Sequence, residues 1–239
     1  MDALFRFKRF TVRNSDSALK VGTDAVLLGS IMTIPTPCRT SLDIGTGTGV
    51  IALMAAQRTE DRAEPCLITG IDIDPPSARE AELNFASSPW SDRLEAGCIA
   101  LQEFRTEGQF DHIFSNPPYY DRSLRNPEKR VSRARHSDSL DFDELLSHSR
   151  RLLAPQGILS VIVPCEYLTD LSRRAASYGL YPFRCVKIRT TEKKNPKRAV
   201  VEFATERKEL DTEELTMTRD GLWTEKYSRY VKDFYLDKG

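Results

Sequence analysis

Two short stretches carry residue types that could do chemistry. The first, LDIGTGTGVIAL, passes from an apolar run through Gly45, Gly47 and Gly49 into a helix-like segment. Glycines so spaced let the backbone approach a ligand and take conformations that a Cβ would block, while a helix N-terminus behind them offers unpaired N–H groups. Position 50 is Val50, so the GxGxxG dinucleotide fingerprint is not met. Asp43, just ahead of the turn, would repel a pyrophosphate and attract a cation, such as the amino group of a methionine moiety. The next apolar run ends in GIDID and places Asp72 where a carboxylate accepts from both hydroxyls of a ribose. These features together point to S-adenosylmethionine.

The second stretch is FSNPPYYD, from Phe114 to Asp121. The amine of adenine is a poor nucleophile because its lone pair is delocalised into the ring. Accepting hydrogen bonds from both its N–H groups favours the pyramidal geometry needed for attack on a sulfonium methyl. The side-chain oxygen of Asn116 and the carbonyl of Pro117 suit that task, since proline fixes φ and removes a competing donor. Pro118 stiffens the exit, and Tyr119 would stack on a base extruded from its strand. No general base is required before transfer, because the methylated product loses its proton readily. Asn-Pro and Pro-Pro also form ordinary turns. The order of the motifs favours chemistry: NPP closes the apolar run that follows the two proposed cofactor strands, at a carboxyl end beside the cleft.

Those residues must be positioned by strands alternating with helices. Strands are expected near 41–45, 67–73, 111–115 and 158–163, with a late pair near 184–189 and 199–205, and helices near 50–58, 76–87, 141–154 and 167–178. The helix at 141 has Asp141 as N-cap with Glu144 three residues on, and Pro155 and Gly157 as stop signals. The pattern is α/β with a largely parallel sheet. A length of 239 residues suits one domain: a segment 1–40, a core 41–205, and a polar tail 206–239 with a helix over 224–236. Lys plus Arg equals Asp plus Glu at 35 each, so no global field recruits nucleic acid and any such contact must come from local patches. Cys38, Cys66, Cys98, Cys165 and Cys185 form no CxxC pair, and His112, His136 and His148 lack ligand spacing, so neither a disulfide framework nor a metal site is indicated. No window has the apolar length of a membrane span, and a cytoplasmic monomer is expected.

DIGTGTG, GIDID and SNPPYY in that order resemble the class I S-adenosylmethionine-dependent methyltransferases, which implies a doubly wound seven-stranded sheet with an antiparallel last strand pair. NPPY is shared by enzymes that methylate adenine amines, guanine amines and a glutamine amide. FRFKRFTV, ALKVGTDAVLLGS, RARHSDSL and NPKRAVVEF narrow the resemblance, over roughly residues 5–205, to the bacterial valine-tRNA adenine-37 N(6)-methyltransferases. That likeness implies that Lys20, Gly22, Thr23 and Asp24 cover the cofactor, that Asp43, Gly45, Thr46, Gly47, Gly49 and Asp72 bind it, and that Asn116 to Tyr119 hold the adenine. One departure stands out: EAGCIALQEF lacks, before Glu103, the acidic residue that relatives often place near the cofactor adenine.

Two basic stretches are candidates for RNA contact. One follows the base pocket with Arg122, Arg125, Lys129, Arg130, Arg133 and Arg135; the other holds Lys187, Arg189, Lys193, Lys194, Lys197 and Arg198 against Glu192. The alternative for each is a solvated face, and the first stretch, next to the base pocket, favours RNA contact more than the second. Phe5, Phe7 and Phe10, interleaved with Arg6, Lys8 and Arg9, fit either an RNA grip or an amphipathic strand packed on the core. The rival readings are a protein glutamine methyltransferase, a DNA adenine methyltransferase, and an RNA-binding protein that retains the fold without catalysis. The first lacks the separate recognition domain such enzymes carry ahead of the glycine turn.

Overall fold

The computed structural model describes residues 3–18, 20–117 and 141–236. A nine-stranded sheet runs in the order β11-β10-β8-β9-β7-β6-β3-β4-β5. Its central strands are β3 (Thr40–Ile44), β4 (Leu67–Asp72), β5 (Leu94–Cys98), β6 (Phe110–Ser115) and β7 (Leu153–Pro164), all mutually parallel. β9 (Arg198–Ala204) is antiparallel to β7 and to β8 (Tyr181–Thr191). The expected seven strands are therefore present with the expected antiparallel late pair. β10 (Asp211–Arg219), parallel to β8, and the short β11 (Leu222–Trp223) extend the sheet further.

Parallel strands covered on both faces read as continuous apolar runs, and β3 and the second half of β7 are buried without alternation. Two cores result. One face packs α1 (Thr23–Ile31), α2 (Val50–Arg58), α3 (Pro75–Ala86) and α6 (Glu225–Val231) around Leu28, Met54, Phe85 and Val231. The other packs α4 (Phe142–Leu152) and α5 (Leu168–Ser177) through Leu145, Leu146 and Leu171. Local chemistry sets the helix starts. Asp141 and Glu144 form the expected capping box, and Asp74 caps α3 through the Ser77 N–H ahead of proline in the first turn.

One expectation needs correction and one open alternative is decided. The tail after 205 is not a polar extension with one helix, because β10 joins the sheet and Leu215 is buried within it. The N-terminal aromatics settle into the packing alternative. β1 (Leu4–Arg6) and β2 (Thr11–Arg13) form a hairpin, and between them Phe7 and Phe10 are buried and stacked 4.5 Å apart, with Phe7 also stacked on Tyr235.

Candidate active site

The site grows from the place where the strand order turns back, between β3 and β6. Ile44 lies opposite Ser115 there, and the Ser115 hydroxyl donates to the Ile44 carbonyl at 2.7 Å, locking the two strand ends together. Beyond them emerge the glycine turn on one side and Asn116 on the other, at the carboxyl edge where doubly wound sheets bind ligands. Asn116 is half-buried and Pro117 buried; Pro118 and Tyr119 lie outside the described residues.

The turn itself is backbone-driven. Gly45, Gly47 and Gly49 have φ of 69°, 54° and 80°, the left-handed region that favours glycine. The Gly45 and Thr46 amides both donate to the Ile71 carbonyl, so the turn is sewn to β4. The three glycines do not serve one purpose. A Cβ on Gly45 would meet nothing within 4 Å, leaving room for a ligand, whereas one on Gly49 would strike Phe85 of α3 at 2.4 Å. Gly49 is thus demanded by helix packing as well as by its φ.

Asp43 is fully buried, and its Oδ2 accepts from the Thr46 hydroxyl at 2.8 Å. Its Oδ1 is buried with no hydrogen-bond partner. Burial pushes the carboxyl up to about 7, against the Thr46 hydroxyl, which favours the ionised form. Gly70 of β4 makes this possible, since a Cβ there would come within 2.7 Å of Thr46 Oγ1. Asp72 takes the Gly47 amide on Oδ2 at 2.8 Å and the Asp74 amide on Oδ1 at 2.9 Å. Each oxygen keeps a further lone pair. Burial raises the Asp72 carboxyl while those two amides hold it down, with a net upward shift. Beside it Ile73 stands 48% exposed, a large apolar side chain at the mouth of the cleft.

The remaining predicted residues sort by position. Gly22 is the N-cap of α1, with Thr23 and Asp24 in its first turn, and Lys20 Nζ donates to the Ser15 carbonyl. Because β8 runs parallel to β7 through β9, the turn between β8 and β9 emerges at the same carboxyl edge, carrying exposed Lys193, Lys194 and Lys197. Arg198 differs from these three: its Nε pairs with Asp24 Oδ2 at 2.7 Å, joining a residue expected to contact RNA to one expected to cover the cofactor. Arg189 likewise pairs with Glu214 of β10. Arg122, Arg125, Lys129, Arg130, Arg133 and Arg135 lie outside the described residues. Glu103 is exposed, and the segment after β5 offers half-buried Ile99 and Ala100 instead of an acid. Among the described residues no three His, Cys, Asp or Glu side chains are grouped to hold a metal, and no helix is long and apolar enough to cross a membrane.

Reasoning from sequence missed Gly70, Ser115 and Ile73. Gly70 had a signal, a glycine interrupting a β-branched strand. Ser115 and Ile73 had none beyond adjacency to the motifs.

A carboxyl edge with an unsatisfied buried carboxylate oxygen beside a glycine turn, a second carboxylate at the end of the neighbouring strand, and an Asn-Pro pair across the crevice defines a class I S-adenosylmethionine-dependent methyltransferase. The family model described as "Methyltransferase small domain" matches residues 15–167. The chain is 40% identical to the tRNA1(Val) (adenine(37)-N6)-methyltransferase of Phocaeicola vulgatus, covering 98% of this chain and 97% of that one. It is 38% identical to the protein of the same name from Flavobacterium johnsoniae, over 98% and 99%. It belongs to that family. Among solved structures, a predicted O-methyltransferase from Agrobacterium tumefaciens shares the fold with a TM-score of 0.68 at 19% identity, covering 88% of this chain and 96% of that one.

Proposed function

We propose that this chain methylates N6 of adenine 37 in a valine tRNA, taking the methyl group from S-adenosylmethionine. The observation that carries this reading is the placement of Asn116 across the β3–β6 crevice from the Gly45 turn, in a chain matched along almost its whole length by enzymes of that name. The cofactor supplies an electrophilic methyl on a sulfonium. Asp43 would hold its ammonium group, and a cation there would favour the ionised carboxylate that burial alone disfavours. Asp72 spends its spare lone pairs on the ribose hydroxyls, and Ile73 with Ile99 gives the cofactor's adenine an apolar surface in place of the missing acid. Asn116 Oδ1 and the Pro117 carbonyl accept the two N–H groups of the target amine and aim its lone pair at the methyl. Lys193, Lys194 and Lys197 meet the phosphate backbone at the same edge.

The test is transfer of a labelled methyl from S-adenosylmethionine to total tRNA from a strain lacking this gene, followed by nucleoside analysis and mapping. Labelled N(6)-methyladenosine at position 37 is expected. Label on DNA or protein with none on tRNA would overturn the substrate and keep the fold.

A further inference from the structure

Helix α3 starts directly after Asp72 and turns one buried polar stripe toward the N-terminal segment. Ser77, Glu80 and Asn84 fall on that stripe, three and four residues apart, and all are buried. Glu80 accepts three consecutive backbone amides: Ser15 at 2.7 Å and Asp16 at 3.0 Å on Oε1, and Ser17 at 2.9 Å on Oε2. Burial would push its carboxyl up, and the three amides outweigh burial and hold it below the usual range. Asn84 Oδ1 accepts the Arg13 amide at 2.7 Å, while its Nδ2 donates to the Arg13 carbonyl and, at 2.8 Å, to the carbonyl of Thr48 inside the glycine turn. Ser77 Oγ accepts the Ala18 amide at 3.1 Å and donates to Asp74 Oδ2 at 2.6 Å.

The segment so held leads on to α1, whose Asp24 is tied to Arg198 at the start of β9. The chain from Ser17 to Asp24 therefore starts on the β4 side of the sheet and ends at β9, four strand spacings or about 19 Å away. Seven residues reach at most about 24 Å. Residues 13–18 and 20–24 are thus anchored near the carboxyl edge, on either side of the place where the glycine turn and Asn116 emerge, with little slack between the anchors. Nothing in the catalytic reading uses Glu80.

We propose that Glu80 is the catch of a strap to which residues 13–18 and 20–24 contribute, and that by fixing the strap's first end it seats the covering residues Lys20, Gly22 and Thr23 over the bound cofactor. Glu80 is a positioning residue for S-adenosylmethionine. The inference rests on the reading of this edge as the cofactor site.

The experiment is calorimetric titration of S-adenosylmethionine into the full chain and into Glu80→Ala and Glu80→Gln, together with steady-state kinetics on tRNA. Glu80→Ala is expected to raise the Kd and the KM for the cofactor by about tenfold or more, as for loss of a charged acceptor of several amides, with kcat at saturating cofactor and the KM for tRNA each within about twofold. Glu80→Gln keeps one oxygen for Ser15 and Asp16 and faces an NH2 to the Ser17 amide, so it falls between the two. A folded Glu80→Ala protein whose cofactor Kd stays within about twofold of the parent overturns the catch. Should that variant fail to fold, Ser77→Ala removes the acceptor for Ala18, the contact to Ser17 and the hydroxyl given to Asp74, and leaves the Ser77 amide that Asp74 caps; about a threefold weaker Kd is expected, and an unchanged one overturns the proposal. Parent protein that binds no S-adenosylmethionine overturns the cofactor reading itself, and the inference falls with it.

Discussion

Asp43 on β3 and Glu202 on β9 are both fully buried, yet the sheet treats them in opposite ways. Glu202 accepts four hydrogen bonds: the Thr33 amide at 2.6 Å and the Ser160 hydroxyl at 2.8 Å on Oε1, and the Thr33 hydroxyl at 2.8 Å and the Arg184 guanidinium at 2.9 Å on Oε2. Arg184 continues to Glu213, which also takes the Tyr230 hydroxyl. On the other side the Ser160 proton is committed to Glu202, so His112 donates to Ser160 through Nε2, and burial holds that imidazole neutral by lowering it to about 3. Asp43 takes the Thr46 hydroxyl on Oδ2 and a favourable contribution from the Ala52 amide, while its Oδ1 has no hydrogen-bond partner among the described residues. A saturated buried carboxylate ties elements together; one left half-satisfied at a strand's carboxyl end keeps capacity for the cationic ligand proposed above.

Several measurements would break or sharpen that contrast. The largest effect is expected at the saturated site. Glu202→Ala strands Arg184 and Ser160 and should lower unfolding stability by about 3–5 kcal/mol, read by urea denaturation, with cofactor affinity of the folded protein unchanged. Parallel loss of affinity would erase the division between structural and functional carboxylates. Next comes the amide across the crevice. Asn116→Ala should reduce kcat by on the order of 10²–10³ with stability and cofactor Kd nearly intact, and an equal fall in affinity and turnover would remove Asn116 from the chemical step. Asp72→Ala should weaken cofactor binding by roughly tenfold to a hundredfold, since the carboxylate proposed to accept the ribose hydroxyls is removed while the Gly47 and Asp74 amides lose their acceptor. Normal affinity in a titration would withdraw the ribose assignment.

The smallest effect is in pH, and it isolates Asp43. Its folded pKa of about 7 lies above the ordinary value, so the folded protein without ligand prefers the neutral acid. That contribution is complete below about pH 4 and is lost as pH rises through about 7. A cationic ligand reverses the preference. Cofactor affinity should therefore rise from about pH 5.5 to 7, by at most about tenfold per unit, and level off there, whereas Asp43→Asn should show no such rise.

What the sequence made legible follows from the range of the interactions involved. The glycine turn, Asp72 and Asn116 are set by strand ends a few residues away, and α4 announced itself through Asp141 and Glu144, a capping box closed within four residues. β10 reads as a polar tail because only Leu215 of its nine residues is buried, leaving no alternation to detect. α1 was invisible for the opposite reason: it is buried on nearly every side, so it has no polar face to give it a period. Counting charges in the β8–β9 stretch overstated its basic surface, because Arg189 and Arg198 find Glu214 and Asp24 from distant parts of the chain. The role of Glu80 was equally hidden, since its acceptors' donors lie more than sixty residues upstream.

The N-terminal hairpin is roofed by the other end of the chain. Lys8 donates its amide to the Phe234 carbonyl, Phe7 stacks on Tyr235, and Gln57 donates to the Asp233 carbonyl. The residues that close over the hairpin's rings lie more than two hundred positions further along the chain. A polypeptide truncated before Phe234 is therefore expected to leave the hairpin's aromatic rings bare while the hydrogen bonds from α3 to residues 13–18 keep their partners.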